Sequence, residues 1–402
     1  MAEGGLEEAT PTGPLAGVRV VDLTINVLGP QATQILGDMG ADVIKVEPPG
    51  GDPMRQMGPA RNPEMGAFYL ALNRNKRSLV LDLKRADDKA RLMRLVTGAD
   101  VFVHSMRARA AARLGIAYAE VRVARPDIVY AWAGGYARHG PRADRPAYDD
   151  VIQGESGLAG LIGRASGEAR YVPMPMADKF CGHVLASAIG MALFRRERSG
   201  QGQEVHVPML ESMLSFNLVE HLWHGTLDEA QKGLGYPRVL SPHRRPYPTR
   251  DGHICIMVNT DAQWRRLMAA VGRPKVMEET RFARLAQRTE HIAELLEILA
   301  AALVERTSAD WQARLDAADI PNGPVNSLED LIASDYLRET GFFRRYRHPS
   351  EGPMMATAVP VAFSGTPGGL HRPPPRLGEH TAEILAGLEA GGAWPQRISK
   401  TS

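Results

Sequence analysis

Residues 17–47 read GVRVVDLTINVLGPQATQILGDMGADVIKVE, and this segment indicates the fold class of the chain. VRVVDL is a short apolar run with β-branched residues, which is typical of a buried strand. Gly29 and Pro30 follow, with the proline at a position that the first turn of a helix tolerates, and Gly40 ends that helix. DVIKVE then supplies a second strand. The pattern predicts a strand, a helix and a strand, the right-handed crossover unit of a parallel sheet.

The same alternation continues towards the C-terminus. Residues 48–63 are rich in Gly, Pro and Arg and predict a long surface loop. Beyond it lie strand-like SLVLDL, ADVFVH and DIVYAWAG, separated by helical stretches at residues 86–96 and up to Leu114. A long helix is predicted from Asp178 to Arg198, before the strand-like EVHVPML. This order predicts an α/β protein with a doubly wound, Rossmann-like sheet.

Composition narrows the possible functions. The chain has 402 residues, with 48 Lys and Arg against 46 Asp and Glu, and this balance argues against a nucleic-acid-binding surface. The most apolar run, residues 184–194, is about half the roughly 20 residues of a membrane span, so we predict no membrane partner. The only cysteines, Cys181 and Cys255, fit a reducing compartment and predict a cytoplasmic location. Residues 1–17 lack the features of a secretion signal and predict a short disordered lead.

Familiar nucleotide and metal motifs are missing. LTINVLGPQATQ has one glycine where the dinucleotide fingerprint needs three, which makes an NAD-linked oxidoreductase a remote alternative. The chain has neither a Walker pattern nor HExxH. His221 and His224 in EHLWHG share a spacing of three residues, but no third ligand lies nearby, so we predict no metal site.

Several blocks in order resemble the class III CoA-transferases, the family of formyl-CoA and carnitine-CoA transferases that also includes the α-methylacyl-CoA racemases. Beside residues 17–55, the matching blocks are NRNKRSLVLDLK (73–84), ADVFVHSMRARAAARLGI (99–116), PDIVYAWAGGYARHGP (126–141), PAYDDVIQGESGL (146–158), PMPMADKFCG (173–182) and ALFRRERSGQGQEVHVPMLES (192–212). Weaker similarity continues to residue 385. The resemblance covers nearly the whole chain.

The family's nucleophilic Asp aligns with Asp178 in PMPMADKFCG. The resemblance implies a mixed anhydride and then an aspartyl-CoA thioester, with an acyl-CoA and a carboxylic acid as substrates and no permanently bound cofactor. A carboxylate near a helix N-terminus is stabilised as the anion, and we expect free N–H groups there to stabilise an oxyanion. Without the resemblance, Asp178 would be interpreted as a helix N-cap.

The resemblance also implies which residues contact the ligands. Lys76 and Arg113 match family residues that hold CoA, Val27 and Met106 match residues that pack against it, and Tyr136 matches a residue beside the acyl group. Surface cations are usually solvated, and apolar residues at such spacing usually belong to the core. The chain has Ser105 and Gly134 where formyl-CoA transferases have Asn and Lys, so some polar contacts to CoA or substrate are expected to differ or to be missing. It has Val27 where they have Gln, which argues against formate and oxalate.

Two further functions remain open on sequence alone. A racemase of the same fold would use the aligned Asp and a His, but the chain has Tyr148 at the position of that His, and a free tyrosine titrates near pH 10. A non-catalytic CoA-binding subunit would need no nucleophile, whereas Asp178 lies in an intact motif. His104 and His183 are interpreted as structural. The basic segment PHRRPYPTRDG (242–252) is interpreted as a solvated loop or a carboxylate site, which favours a dicarboxylate donor such as succinyl-CoA.

The family further implies an interlocked homodimer. We predict that residues 1–225 form the N-terminal part of a large CoA-binding domain and that residues 226–335 form a smaller α+β domain. Residues 336–402 are predicted to return and complete the large domain.

Overall fold

The computed structural model describes residues 12–392 and 394–395, so most of the predicted disordered lead lies outside the described residues. The chain forms two compact units. The first comprises the chain up to Ser156, Val172–Phe216 and the chain from Arg338, and the second comprises Gly157–Tyr171 and Asn217–Leu337. Residues 157–171, which we predicted within the large domain, group with the second unit, where Arg164 Nη2 donates a 3.1 Å hydrogen bond to the carbonyl oxygen of Leu234.

The described strands and helices are these. The strands are β1 (Arg19–Leu23), β2 (Asp42–Glu47), β3 (Lys76–Val80), β4 (Val101–His104), β5 (Val129–Gly134), β6 (Gln203–Pro208), β7 (Tyr247–Pro248), β8 (His253–Ile256), β9 (Asn322–Pro324), β10 (Phe343–His348) and β11 (Gly352–Thr357). The α-helices are α1 (Leu28–Asp38), α2 (Ala67–Leu72), α3 (Ala86–Val96), α4 (Ala108–Leu114), α5 (Tyr118–Ala124), α6 (Asp149–Glu155), α7 (Leu158–Ser166), α8 (Met176–Ser199), α9 (Met209–His221), α10 (Pro237–Leu240), α11 (Asp261–Ala270), α12 (Thr280–Ala283), α13 (Leu285–Glu290), α14 (Ile292–Leu303), α15 (Ser308–Ala317), α16 (Leu328–Ala333), α17 (Asp335–Glu339) and α18 (Thr381–Glu389). Short 3₁₀ turns lie at Pro53–Gln56, Trp223–Leu227, Ala230–Lys232 and Pro274–Glu278.

A six-stranded sheet in the order β3-β2-β1-β4-β5-β6 is the centre of the first unit. Every pair is parallel, with Val21 opposite Ile44 on β2 and opposite Phe102 on β4. Those three side chains are fully buried with Leu92 of α3 in the core. The strand order reverses at the boundary between β1 and β4, as in doubly wound nucleotide-binding folds. The predicted doubly wound α/β fold is confirmed.

The C-terminal chain packs against the N-terminal part within the first unit. The N–H of Asn75 donates to the carbonyl of Arg372 at 2.9 Å, and the N–H of His380 donates to the carbonyl of Ser78 at 3.0 Å. Ile384 of α18 is buried in the core of the parallel sheet. β10 and β11 pair with each other as an antiparallel hairpin.

The predicted surface loop at residues 48–63 is partly wrong. It contains a 3₁₀ turn in which Arg55 is only 1% exposed. Its guanidinium bonds the Glu47 carboxylate at 2.7 Å and lies 3.7 Å from the centre of the Tyr69 ring. Its Nη1 also donates to the carbonyl of Pro375, 320 positions further along, at 3.3 Å, and local composition cannot indicate a contact of this kind.

The second unit has a three-stranded antiparallel sheet in the order β7-β8-β9 with helices around it. Trp264, Leu267, Leu299 and Trp311 are buried in its core. This arrangement confirms the predicted smaller α+β part. Among the described residues, no helix is both long enough and apolar enough to cross a membrane.

Candidate active site

A pocket of about 860 Å³ lies in the first unit at the carboxyl ends of the parallel strands. Ile25 and Asn26 line it just after β1, Ser105 and Met106 just after β4, and Gly134 at the end of β5. In doubly wound sheets, ligands bind beyond the carboxyl ends of the strands where the strand order reverses. The topology therefore makes this pocket the principal candidate for the active site.

Asp178 lines the pocket from the first turn of α8. Gly182, one turn further along, allows α8 to pack closely against α1. A Cβ atom at position 182 would lie 2.8 Å from the carbonyl oxygen of Leu28. Since such an approach is too short for any Cβ atom, a glycine at this position allows the start of α8 to lie this close to α1.

Asp149 holds the start of α8. The backbone N–H of Asp178 donates a hydrogen bond to Asp149 Oδ1 at 2.9 Å. The other carboxylate oxygen of Asp149 accepts from Gln153 Nε2 at 2.5 Å. Gln153 Oε1 in turn accepts from the N–H of Val172 at 2.9 Å. Asp149 and Gln153 therefore fix the segment before Asp178 as well as the first turn itself.

The electrostatic environment of Asp178 differs from the expected one. Burial, together with the nearby Asp149 carboxylate, raises the pKa of Asp178 to about 7. We expected the helix N-terminus to favour the anion, but desolvation and like charge outweigh it. The expectation of several free N–H groups is also wrong at two positions, because the N–H of Asp178 bonds Asp149 and the N–H of Met176 donates to the carbonyl of Met174 at 2.7 Å.

One wall of the pocket is basic. The arginines that line it are Arg107, Arg109, Arg113 and Arg145. Arg109 pairs with Asp144 at 2.8 Å, and Arg145 pairs with Glu155 at 3.4 Å. Arg107 and Arg113 are exposed and form no ion pair with any residue that the structure describes. These two guanidinium groups are available to a phosphate or carboxylate.

Of the predicted CoA contacts, Met106 and Arg113 line the pocket and Val27 and Lys76 do not. The backbone carbonyl of Met106 accepts a hydrogen bond from Trp132 Nε1 at 2.7 Å, which fixes this residue at the pocket. Val27 packs with Met54, Tyr69 and Leu72 in a small separate core. For Val27 and for Lys76, contact with CoA stays a prediction.

Lys76 is fully buried beneath α1. Its Nζ lies 3.3 Å from Asp22 Oδ2 and donates to the carbonyl of Pro30 at 3.0 Å and to Asn73 Oδ1 at 2.9 Å. Burial lowers the pKa of Lys76 to about 8, although the Asp22 carboxylate opposes that shift. In this structure, Lys76 connects β1, through Asp22, with the first turn of α1, through Pro30.

Two tyrosines lie near the pocket in different ways. Tyr136 is 2% exposed and is not a lining residue, and its ring lies 5.9 Å from the guanidinium carbons of Arg142 and Arg145. Its proximity to an acyl group stays a prediction. Tyr148, at the position of the racemase His, lines the pocket and is 70% exposed.

His104 is structural, as its hydrogen bonds show. Its Nδ1 accepts from the N–H of Met106 at 3.1 Å, so Nε2 carries the proton and donates to the Tyr130 hydroxyl at 2.6 Å. Burial lowers the pKa of His104 to about 3, which excludes it as a base at neutral pH. His221 Nδ1 accepts from the N–H of Tyr236 at 3.2 Å. No group of three potential metal ligands occurs among the described residues.

The sequence interpretation missed Asp149, Gln153, Arg107 and Asp144. The signal for the first two was present in YDDVIQ, where an acidic residue starts a helix and a glutamine follows one turn later. What the sequence did not show was that this helix start meets the start of α8, 29 residues further along.

Comparison with known proteins shows the family of the chain. The model of CoA-transferase family III matches residues 15–381. The chain belongs to CoA-transferase family III. It is an enzyme that uses CoA thioesters as substrates.

Individual relatives are similar over nearly the full length. The succinate–glutarate CoA-transferase of Agrobacterium fabrum is 35% identical, over 94% of this chain and 96% of that protein. The succinyl-CoA:glutarate CoA-transferase of Mus musculus is 30% identical, over 92% and 86%. The orthorhombic crystal structure of Rv3272 from Mycobacterium tuberculosis superposes with a TM-score of 0.79 at 30% identity, over 92% and 99%.

Proposed function

We propose that this family III CoA-transferase transfers CoA through a covalent intermediate on Asp178. The observation that carries the proposal is the position of this carboxylate. It lines the same pocket as the unpaired guanidinium groups of Arg107 and Arg113. Those cations suit the phosphates of CoA, and a carboxylate in the same pocket suits attack on the thioester.

The proposed reaction has four steps. A carboxylate oxygen of Asp178 attacks the donor thioester carbonyl, which gives a mixed anhydride and the CoA thiolate. The thiolate attacks the carboxyl carbon of Asp178, so the donor acid leaves and an aspartyl-CoA thioester forms. The acceptor carboxylate attacks that thioester and releases the thiolate again. The thiolate then attacks the acceptor carbonyl, so the new acyl-CoA forms and Asp178 is restored.

The pKa of Asp178 sets the ionisation that this reaction needs. At a pKa of about 7, roughly half of the carboxyl groups are ionised at neutral pH. Burial makes the ionised form a stronger nucleophile than a solvated carboxylate, because fewer hydrogen bonds have to be broken before attack.

For the acids, we propose succinyl-CoA as donor and a dicarboxylate such as glutarate as acceptor. Two of the similar relatives carry names that pair succinate or succinyl-CoA with glutarate.

The test is a transfer assay with purified protein. Succinyl-CoA and glutarate should give glutaryl-CoA and succinate in equal amounts, and Asp178→Asn should reduce the rate by at least about 1000-fold, as expected for loss of a nucleophile. Asp150→Asn is the matched control, because Asp150 is an exposed neighbour of Asp149 that does not line the pocket.

A racemase is the second candidate, because a carboxyl group with a pKa of about 7 also suits a general base. Incubation of the protein with a 2-methylacyl-CoA and an acceptor acid in D₂O separates the two functions. Deuterium at the α-carbon of a 2-methylacyl-CoA, without transfer to any acceptor acid, would favour the racemase.

We also propose the interlocked homodimer and a cytoplasmic location. Exposed apolar side chains on α8 support an interface, since Met191 is 72% and Phe194 is 65% exposed. Light scattering after size-exclusion chromatography tests the dimer, and a monomer at working concentration would contradict it. Fractionation of cells tests the location.

A further inference from the structure

The second unit contains a pocket of its own, of about 310 Å³, at the edge of its antiparallel sheet. None of its lining residues also lines the pocket of Asp178. Its volume is at the lower end of the range for small-molecule sites and well below that of the first pocket. A ligand of this pocket would therefore be much smaller than CoA.

The floor of this pocket is apolar. Trp264 and Leu267 of α11 and Leu296 and Leu299 of α14 line it, and each is at most 5% exposed. These side chains belong to the core of the second unit, so the floor is rigid. An apolar floor of this kind favours a hydrocarbon body in the ligand.

Three arginines contribute positive charge to the lining of this pocket. Arg238, Arg244 and Arg245 line the pocket, and none of the lining residues is acidic. Arg244 and Arg245 are exposed and lie just before β7. Within the described part of the chain, none of the three guanidinium groups forms an ion pair with a carboxylate. The pocket therefore carries positive charge without a counter-charge.

Arg238 is the most informative of the three, because it is buried, with 8% exposure. Its Nη2 donates to the carbonyl of Val258 at 2.6 Å, and its Nη1 donates to Asn259 Oδ1 at 3.2 Å. Both partners are neutral. A buried guanidinium held only by neutral groups is costly, and an anionic ligand would offset that cost.

We propose that this pocket binds a carboxylic acid with a hydrocarbon body, with the carboxylate on the arginines and the hydrocarbon on the Trp264 floor. The adjacent Tyr247 is 4% exposed and lines the same pocket, so its hydroxyl is a further donor to the carboxylate. Burial raises the pKa of Tyr247 to about 12, and the hydroxyl stays protonated at neutral pH. The site is independent of the transfer proposed for Asp178.

Cys255 provides a direct readout of occupancy. It is exposed and lines the pocket, whereas Cys181, the other cysteine of the chain, is fully buried. The first alkylation by iodoacetamide is therefore expected at Cys255, and peptide mass spectrometry is used to identify the alkylated cysteine. Since the labelling rate follows the unoccupied fraction, a ligand at about ten times its Kd should slow labelling about tenfold.

The probes are hexanoate, hexanamide and inorganic phosphate, each titrated against the full-length protein. Hexanoate should slow labelling in a saturable manner, while hexanamide and phosphate should leave the rate unchanged. Equal protection by hexanamide would show that the arginines are not used. Protection by phosphate alone would show an anion site that does not use the apolar floor. Either result would overturn the proposal, as would the absence of protection by hexanoate.

Variants complete the test. Arg238→Gln should abolish protection, and the double variant R244Q/R245Q should weaken it even if Arg238→Gln does not fold. Arg250→Gln is the matched control, because Arg250 is an exposed arginine of the same segment that does not line the pocket. Protection that persists in both R238Q and R244Q/R245Q would contradict the proposal. Asp178→Ala should retain the protection of Cys255 by hexanoate. A failure of covalent transfer and a failure of this site are therefore distinguishable.

Discussion

The backbone N–H of Asp178 donates a 2.9 Å hydrogen bond to the carboxylate of Asp149, so two acidic residues 29 positions apart meet at the start of α8. The arrangement has two opposing effects. Asp149 holds the first turn of the helix in place, and its negative charge disfavours the ionisation of Asp178. Geometry and reactivity of Asp178 are therefore coupled through one residue.

Neutralising Asp149 should move the pH profile of transfer towards acid. In the wild type, the rate of adduct formation should rise with pH and be half-maximal near pH 7, where Asp178 ionises. Asp149→Asn keeps an oxygen acceptor but removes the charge, and should lower the midpoint by about one pH unit. Single-turnover rates between pH 5 and 9 measure it. An unchanged midpoint in Asp149→Asn, or a shift in the control Asp150→Asn, would contradict the coupling.

Replacing Asp178 by Asn should stabilise the protein at alkaline pH. The raised pKa of Asp178 means that the folded state holds its proton more tightly than the unfolded state, so stability falls as pH rises from about 4 to about 7. Asp178→Asn removes this loss and should raise the free energy of unfolding at pH 8 by about 1–3 kcal/mol. Urea unfolding at pH 8 and pH 5 measures the difference. A gain that is equal at both pH values would count against a titrating Asp178.

Removing a free arginine of the first pocket should weaken the binding of acyl-CoA. Arg107→Gln and Arg113→Gln should each raise KM about tenfold with little change in kcat, because each loses a charge-assisted contact with a phosphate. Arg122→Gln is the control, since Arg122 is an exposed arginine of α5 outside the pocket. Initial rates at low ionic strength give both constants. A fall in kcat without a change in KM would contradict a role of these arginines in binding acyl-CoA.

Lys76→Met should lower the free energy of unfolding of the protein. Lys76 and Asp22 form a fully buried pair, and removal of Lys76 leaves the Asp22 carboxylate with its hydrogen bonds from Thr24 and Thr33 but without its ion-pair partner, which costs up to about 3–5 kcal/mol. The double variant D22N/K76M should recover part of this loss. Urea unfolding and KM for acyl-CoA are measured together. A large rise in KM with unchanged stability would instead support the predicted contact between Lys76 and CoA.

Local sequence predicted the elements well where their patterns were complete. The helix expected at residues 86–96 is α3, and the opening segment forms β1, α1 and β2. Each of these elements has a regular pattern of apolar residues and clear end signals, so contacts with other parts of the chain are not needed to predict it. The long helix was expected from Asp178 and begins at Met176, so Asp178 lies in its first turn as expected.

What the sequence did not predict depends on contacts between distant residues. Lys76 in NRNKRS has the appearance of a solvated cation, but Asp22, 54 positions earlier, holds it in the interior. Arg55 is buried for the same reason, since Glu47 and Tyr69 surround it. The raised pKa of Asp178 likewise arises from burial and from Asp149, neither of which the motif PMPMAD contains.

Covalent transfer through Asp178 is tested most directly by incubating the protein with succinyl-CoA, reducing the mixture with borohydride and mapping the peptides by mass spectrometry. An aspartyl-CoA thioester at Asp178 should be converted to homoserine at that position, and the same peptide should stay unmodified in reactions without donor. Reduction at Asp178 that depends on succinyl-CoA is the predicted result. An unmodified Asp178 peptide under conditions where the enzyme transfers CoA would contradict the account.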